Sequence, residues 1–375
     1  MMHTFLLLIS VFLFVLYVTS LGDITNAFSG LKDFVYPLFL ILVFANLKTS
    51  MRRFFEKFGI MTLMFVILIV FHFVYGGGNF EGFTVSVLVY LLCTTVWVNV
   101  FKMDLFAFLL LGIYLFSFVA YPKELIMGLL SDSSGTGWNL IFQNSNMASL
   151  FICCVFASVY LFIKKQKIKK LSFLFVIIGL IACQSRNAVL FFVLSVFFLY
   201  FKKYLLKYRV YFPVFILLFF VVVVYYMIVI EPYLMNISHF IMFGKSEGTT
   251  GRSMQVLYIV ENFDINLWGY DKLINEASMD VLNYPVHNFY VTTLYAFGLS
   301  MFLFYMYFVY KIYFMLKVYE SQVFLLCFHV YFFFEPSWAF CVQLNYLLPM
   351  LIIAGSYRYL KQDISAECLN IYRCN

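Results

Sequence analysis

Charge is what this sequence has least of. Asp, Glu, Lys and Arg together make up 11% of its 375 residues, against roughly 25% in an ordinary soluble domain. A water-soluble fold of this length would need about twice that charge to cover its surface. A soluble enzyme and a nucleic-acid binder are therefore excluded, and a 64% hydrophobic content excludes a disordered chain. Zinc and redox spacings are also missing. Cys93, Cys153, Cys154, Cys183, Cys327 and Cys341 fall in or beside apolar blocks, while Cys368 and Cys374 lie in the C-terminal tail, so buried small hydrophobes are expected. The first apolar block, Phe5 to Val18, has no positive stretch before it and reads as a retained first span rather than a cleaved leader. No internal repeat and no low-complexity linker divides the chain.

What is present is a series of apolar blocks about as long as a helix needs to cross ~30 Å of hydrocarbon. Only helices suit, because isolated strands leave backbone groups unpaired in lipid and barrels need period-two patterning. The blocks predict twelve spans, at roughly 4–21, 34–47, 58–75, 84–100, 105–121, 145–163, 171–184, 187–201, 210–230, 287–310, 322–334 and 338–357. The connections 48–57, 164–170 (KKQKIKK), 202–209 (KKYLLKYR) and 311–317 are basic and alternate with connections that are not. With both termini inside, the cytoplasmic side carries 19 basic and 5 acidic residues, the outer side 6 and 13, as the positive-inside rule requires. The expected fold is a single all-α integral membrane domain over 1–375. It has one large outer loop at 231–286, too long to be structureless, in which MQVLYIVENF has the spacing of a short amphipathic helix.

The informative charges are the few positive ones on the outer side. Arg186, in CQSRNAV, stands between two spans joined by almost no loop. A guanidinium at that depth costs several kcal/mol unless it faces a wet cavity, a partner or the lipid headgroups. Arg252 follows GTTG at the head of the loop helix, where a guanidinium fork beside free N–H groups suits a phosphate, or a loop acid in a salt bridge. His287, after Pro285, opens span ten. It has the right side chain for a general base near neutral pH, and equally for a cap or headgroup contact. Asn144 and Asn146, in QNSN, open span six as caps or as hydrogen-bonding partners of a sugar. His3, His72, His239 and His329 offer less context.

The order of these motifs, QNSNMASL, QSRNAVL, TTGRSMQ and VHNFYVTTLYAFG, on a Phe- and Tyr-rich twelve-span chain, resembles the superfamily of Wzy-type O-antigen polymerases and O-antigen ligases. The motif support covers about 140 to 310. The QNSN turn lacks the proline that family ligases often have, and SMQV follows Arg252. The resemblance implies a GT-C-like membrane glycosyltransferase in a bacterial cytoplasmic (inner) membrane, its cavity opening to the periplasm or exterior. It implies polyprenyl-diphosphate-linked oligosaccharide donor and acceptor (undecaprenyl diphosphate), no metal or other cofactor, a chain-length regulator as a further partner and no nucleic acid. Carried over by motif, Arg186 and Arg252 would bind the diphosphate and His287 would contact or deprotonate the acceptor. Asn144, Asn146 and Asn288 would contact substrate.

Within that class, strong aromatic enrichment and short motifs favour a polymerase over a ligase that uses lipid A–core as acceptor. A lipid-linked saccharide flippase or other transporter is the reading from a different class. It would place charges midway along several helices and show matching halves, and neither feature is found in the spans.

Overall fold

The computed structural model describes residues 2–17, 32–76, 80–99, 101–130, 138–140, 142, 145–225, 250–270, 273–282, 288–333 and 346–357. Among these residues every regular element is a helix. The elements are α1 Met2–Tyr17, α2 Lys32–Tyr75, α3 Phe80–Val98, α4 Met103–Ala120, α5 Pro122–Leu130, α6 Ser145–Phe162, α7 Gln166–Cys183 and α8 Arg186–Tyr200. They continue with α9 Lys202–Leu205, a 3-10 turn Leu206–Tyr211, α10 Phe212–Tyr225, α11 Thr250–Asn262, α12 Leu273–Leu282, α13 Phe289–Met315 and α14 Tyr319–Phe332. A last helix, α15, covers Tyr346–Tyr357.

Among the described residues three helices are long and apolar enough to cross a membrane: Ser50–Tyr75, Met103–Ala120 and Phe289–Met315. The pair Arg186–Tyr200 and Lys202–Phe215, bent by 74°, makes a fourth if counted as one span. Shorter apolar helices cover His3–Val15, Phe34–Lys48, Phe83–Val98, Asn146–Phe162 and Tyr346–Tyr357. The outward faces are as apolar as the inward ones. Ile60, Leu63 and Val74 of α2, Val119 of α4 and Val193 of α8 are all more than half exposed. Helices apolar all round, standing at the surface of a fold, have lipid as their natural solvent. The chain therefore has the build of a helical membrane protein.

Two of the basic connections are helical throughout, and 164–170 and 311–317 are helical over 166–170 and 311–315. The stretch 48–57 lies within α2, which departs from helical geometry only at Ser50 (φ −137°, ψ 18°). There the Ser50 Oγ donates to the Asn46 carbonyl at 2.7 Å, a local bond that competes with the helix ladder and bends it. The stretch 202–209 forms α9 and the 3-10 turn. The connection 122–144 also contains a helix, α5. Pro122 at its first position costs no helix bond there, and Glu124 faces the positive end of the helix dipole. The expected helix over MQVLYIVENF is present as α11.

Contacts tie the basic segments into one end of the bundle. Lys311 Nζ donates to the Lys57 carbonyl at 2.9 Å, Lys57 Nζ in turn bonds the Tyr357 hydroxyl, and Lys202 pairs with Glu320 at 2.7 Å. Tyr313 bonds the Arg209 carbonyl. The core between the two ends is largely aromatic, as in the stacked Phe65 and Tyr90, whose centroids are 4.3 Å apart. Cys93, Cys153, Cys154, Cys183 and Cys327 are buried free thiols within it, as expected; Cys341, Cys368 and Cys374 lie outside the described residues.

At the opposite end, α5 caps the α7–α8 hairpin. Gln184 turns the chain in the left-handed region (φ 52°) and its Nε2 donates to the Gly128 carbonyl at 3.0 Å. The buried Trp138 donates its backbone N–H to the Ala182 carbonyl at 2.8 Å. A Cβ on Gly128 would stand 2.6 Å from that same carbonyl, so only glycine lets α5 approach so closely.

Candidate functional site

Three helices begin at the end of the bundle away from the basic segments, and they begin around the last turn of α14. The Tyr331 hydroxyl of α14 donates to the Asn146 carbonyl in the first turn of α6 at 3.0 Å, and lies 3.1 Å from Ser149 Oγ. Phe191 of α8 packs against Phe328 and Tyr331, with centroids 4.8 and 6.5 Å away. Arg186 is five residues earlier on the same helix, about 7.5 Å further along its axis. Phe289 and Tyr290, which open α13, pack against Phe332 and Phe333 at 5.2 and 5.4 Å. The N-termini of α6, α8 and α13 thus gather at one end of the bundle, each bringing the positive end of a helix dipole.

The structure therefore places Asn146, Arg186 and Asn288 at this same end of the bundle. Arg186 is partly exposed, and no ion pair holds it among the described residues. Asn146 is partly exposed and its carbonyl is occupied by Ser149 and Tyr331. Asn288 is fully buried and caps α13, its Oδ1 accepting from the N–H groups of Tyr290 and Val291 at 3.1 and 3.0 Å. Its Nδ2 has no partner among the described residues. A buried amide with two free donors is costly unless something accepts from it, so this is the one part of Asn288 left for a ligand. Arg252 falls in the first turn of α11, as its sequence context requires. His287 and Asn144 lie outside the described residues.

Several contributors escaped the sequence reading. Ser185 precedes α8 with a buried hydroxyl that has no partner among the described residues. Asn187 follows Arg186 and is 8% exposed. The motif SRN contained the signal for both, since polar residues flanking an arginine at a span boundary share its place at the helix start. Tyr331 gave no signal, because HVYFFF reads as continuous apolar core. His329 is a satisfied core histidine: its Nδ1 lies 2.8 Å from the Leu325 carbonyl and its Nε2 3.0 Å from the Tyr305 hydroxyl. It is buried at 1% exposure and has no access to solvent.

A second structural feature positions the large loop. The helix α13 is broken at Gly298 (φ 86°, ψ 169°), and the segment 266–270 of the loop is bonded into that break. Tyr270 N donates to the Tyr295 carbonyl at 2.9 Å, Leu299 N to the Asn266 carbonyl at 2.9 Å, and Ser300 Oγ to the Leu267 carbonyl at 2.8 Å. On the other side His72 Nδ1, in the last turn of α2, bonds the Trp268 carbonyl at 2.6 Å, and the Trp268 ring stacks on Phe71 with centroids 4.9 Å apart. The loop backbone thus takes up the helix bonds that the break leaves open, as buried backbone groups demand. It immediately follows α11, so the anchor fixes the end of the helix that carries Arg252.

Comparison of the chain with protein-family models, curated proteins and solved structures finds no match.

Proposed function

We propose that the protein is a membrane glycosyltransferase that joins polyprenyl-diphosphate-linked oligosaccharide repeat units, a surface-polysaccharide or O-antigen polymerase. The observation that carries this reading is the gathering of three helix N-termini with Arg186 and the unsatisfied Asn288 amide at the end of the bundle away from the basic segments. Helix dipole ends, the Asn288 amide N–H groups and a guanidinium form an environment for an anion. The resemblance of the motif order to the polymerase and ligase superfamily names that anion as a diphosphate. In this reading the chain crosses the bilayer twelve times with both termini in the cytoplasm, and the site faces outward.

The chemistry follows from the leaving group. A hydroxyl oxygen of the acceptor saccharide attacks the anomeric carbon of the donor. The bond from that carbon to the diphosphate oxygen breaks, and the electron pair leaves with the diphosphate. Arg186, Arg252 and the helix N-termini stabilise the charge that develops there, in surroundings where water competes weakly. The acceptor proton passes to His287. A direct displacement of this kind inverts the anomeric configuration.

Deletion of the gene, followed by gel analysis of surface glycans, tests the reading. The expected result is loss of long polymer with single-repeat glycan still attached to its anchor. Complete absence of attached glycan would assign the chain to a ligase, and precursor stranded inside the cell would assign it to a transporter.

A further inference from the structure

The basic end of the bundle contains a cavity that the proposed transfer site does not use. It measures about 400 Å³ and lies between α6 and α7, within the size range of small-molecule sites. Phe156, Val159, Phe173 and Val176 wall it, while Gln166, Lys169 and Lys170 also line it. Its composition is that of an amphiphile's site, apolar along the length and cationic where the KKQKIKK segment begins the helix. Lys169 holds one orientation, donating to the Tyr160 carbonyl at 2.7 Å with its ammonium 5.0 Å from the Tyr160 ring centroid. Two of its three N–H groups remain for an anion. Burial pulls the Lys169 pKa below the usual lysine range against the opposing pull of Glu320, and the attraction of a closer anion would offset that cost. Glu320 itself is paired with Lys202 at 2.7 Å. Lys170 is exposed beside the cavity.

We infer that this cavity binds an anionic phospholipid of the adjoining leaflet, its phosphate on Lys169 and Lys170 and part of an acyl chain between Phe156, Val159, Phe173 and Val176. Charge complementarity selects this occupant. Basic pockets between membrane helices on the cytoplasmic side bind anionic headgroups, and the apolar walls require a chain attached to the headgroup. The site stands independently of the transfer reaction, because it lies at the other end of the bundle and uses none of its residues.

Native mass spectrometry of the full-length chain in detergent, titrated with phosphatidylglycerol or phosphatidylcholine of identical acyl chains, tests the inference. Phosphatidylglycerol is expected to be retained preferentially, with retention falling about fivefold for each of Lys169→Gln and Lys170→Gln. Lys167→Gln, on the same basic run but not lining the cavity, is expected to change retention less than about twofold. Lys170 is exposed, so its variant keeps the test valid if Lys169→Gln disturbs the fold. An excess of glycerol 1-phosphate is expected not to displace the lipid. Equal retention of the two lipids, an equal loss in Lys167→Gln, or displacement by glycerol 1-phosphate would each overturn the proposal. The last result would mean a phosphate site without a chain site.

Discussion

Arg186→Ala is expected to lower polymer synthesis by about 10²–10³-fold, the usual effect of removing one preorganised stabiliser of transition-state charge, while leaving the protein inserted and stable. The two halves of this expectation have separate causes. The guanidinium stands in the first turn of α8, where the helix N-terminus already favours negative charge. It is partly exposed and holds no ion pair among the described residues, so its removal leaves no buried partner uncompensated. Substitutions of that kind shift stability by about 0.5 kcal/mol or less. Arg186→Lys is expected to fall between the two, keeping the charge and losing the bidentate fork. Quantified glycan ladders, normalised to the amount of protein in the membrane, check this. Full-length glycan from Arg186→Ala at wild-type levels would remove the arginine from the mechanism.

Gly298→Ala is expected to cost the largest amount of stability of any single substitution considered, about 3 kcal/mol or more. The conformation of Gly298, with φ 86° and ψ 169°, belongs to a region that only glycine occupies readily, and forcing another residue into it costs about 1–3 kcal/mol. Sterics add to this. A Cβ on Gly298 would stand 2.5 Å from Gly269 N and from the Leu267 carbonyl oxygen, both backbone atoms that cannot swing away. Gly269 is equally constrained, with φ 83° and the Ala296 carbonyl against any added Cβ. Gly112→Ala supplies the contrast, because a Cβ there meets nothing within 4 Å and a helical glycine replaced by alanine gains about 0.5–1 kcal/mol. Thermal unfolding in detergent should therefore move the two variants in opposite directions. Equal midpoints would mean that the loop is not seated in the α13 break. Because the seated segment follows α11, Gly298→Ala should also reduce polymer synthesis, through the misplaced loop rather than through any contact with substrate.

The sequence carried the class of the fold plainly and its internal detail poorly. Composition and apolar runs pointed to membrane helices because both follow from solvation and need no tertiary information. The amphipathic helix over MQVLYIVENF was legible for the same reason, its apolar residues recurring at helical spacing. Boundaries were harder. The basic stretch 48–57 reads as a loop, yet it continues α2 as helix, because charge marks a membrane edge without breaking a helix. Arg186 and Asn146 stood out as polar residues at span ends, and packing around Tyr331 puts their helix starts at the same end of the bundle. Tyr331 itself could not be singled out from an aromatic run. The joining of Gly269 to Gly298 was equally hidden. Each glycine is unremarkable in LWGYD or AFGLS, and their meaning lies in a contact between segments about thirty residues apart.

The central claim is that this chain itself forms the glycosidic bond. The most direct measurement places the purified protein in liposomes with a polyprenyl-diphosphate-linked oligosaccharide repeat unit and a chelator. The products are then resolved by length. A ladder of lengthening lipid-linked glycans is expected, together with release of free polyprenyl diphosphate, and both should fall by about 10²–10³-fold with Arg186→Ala. Unchanged precursor with the wild-type protein, or a ladder that appears only when Mg²⁺ or Mn²⁺ is restored, would contradict the proposed mechanism.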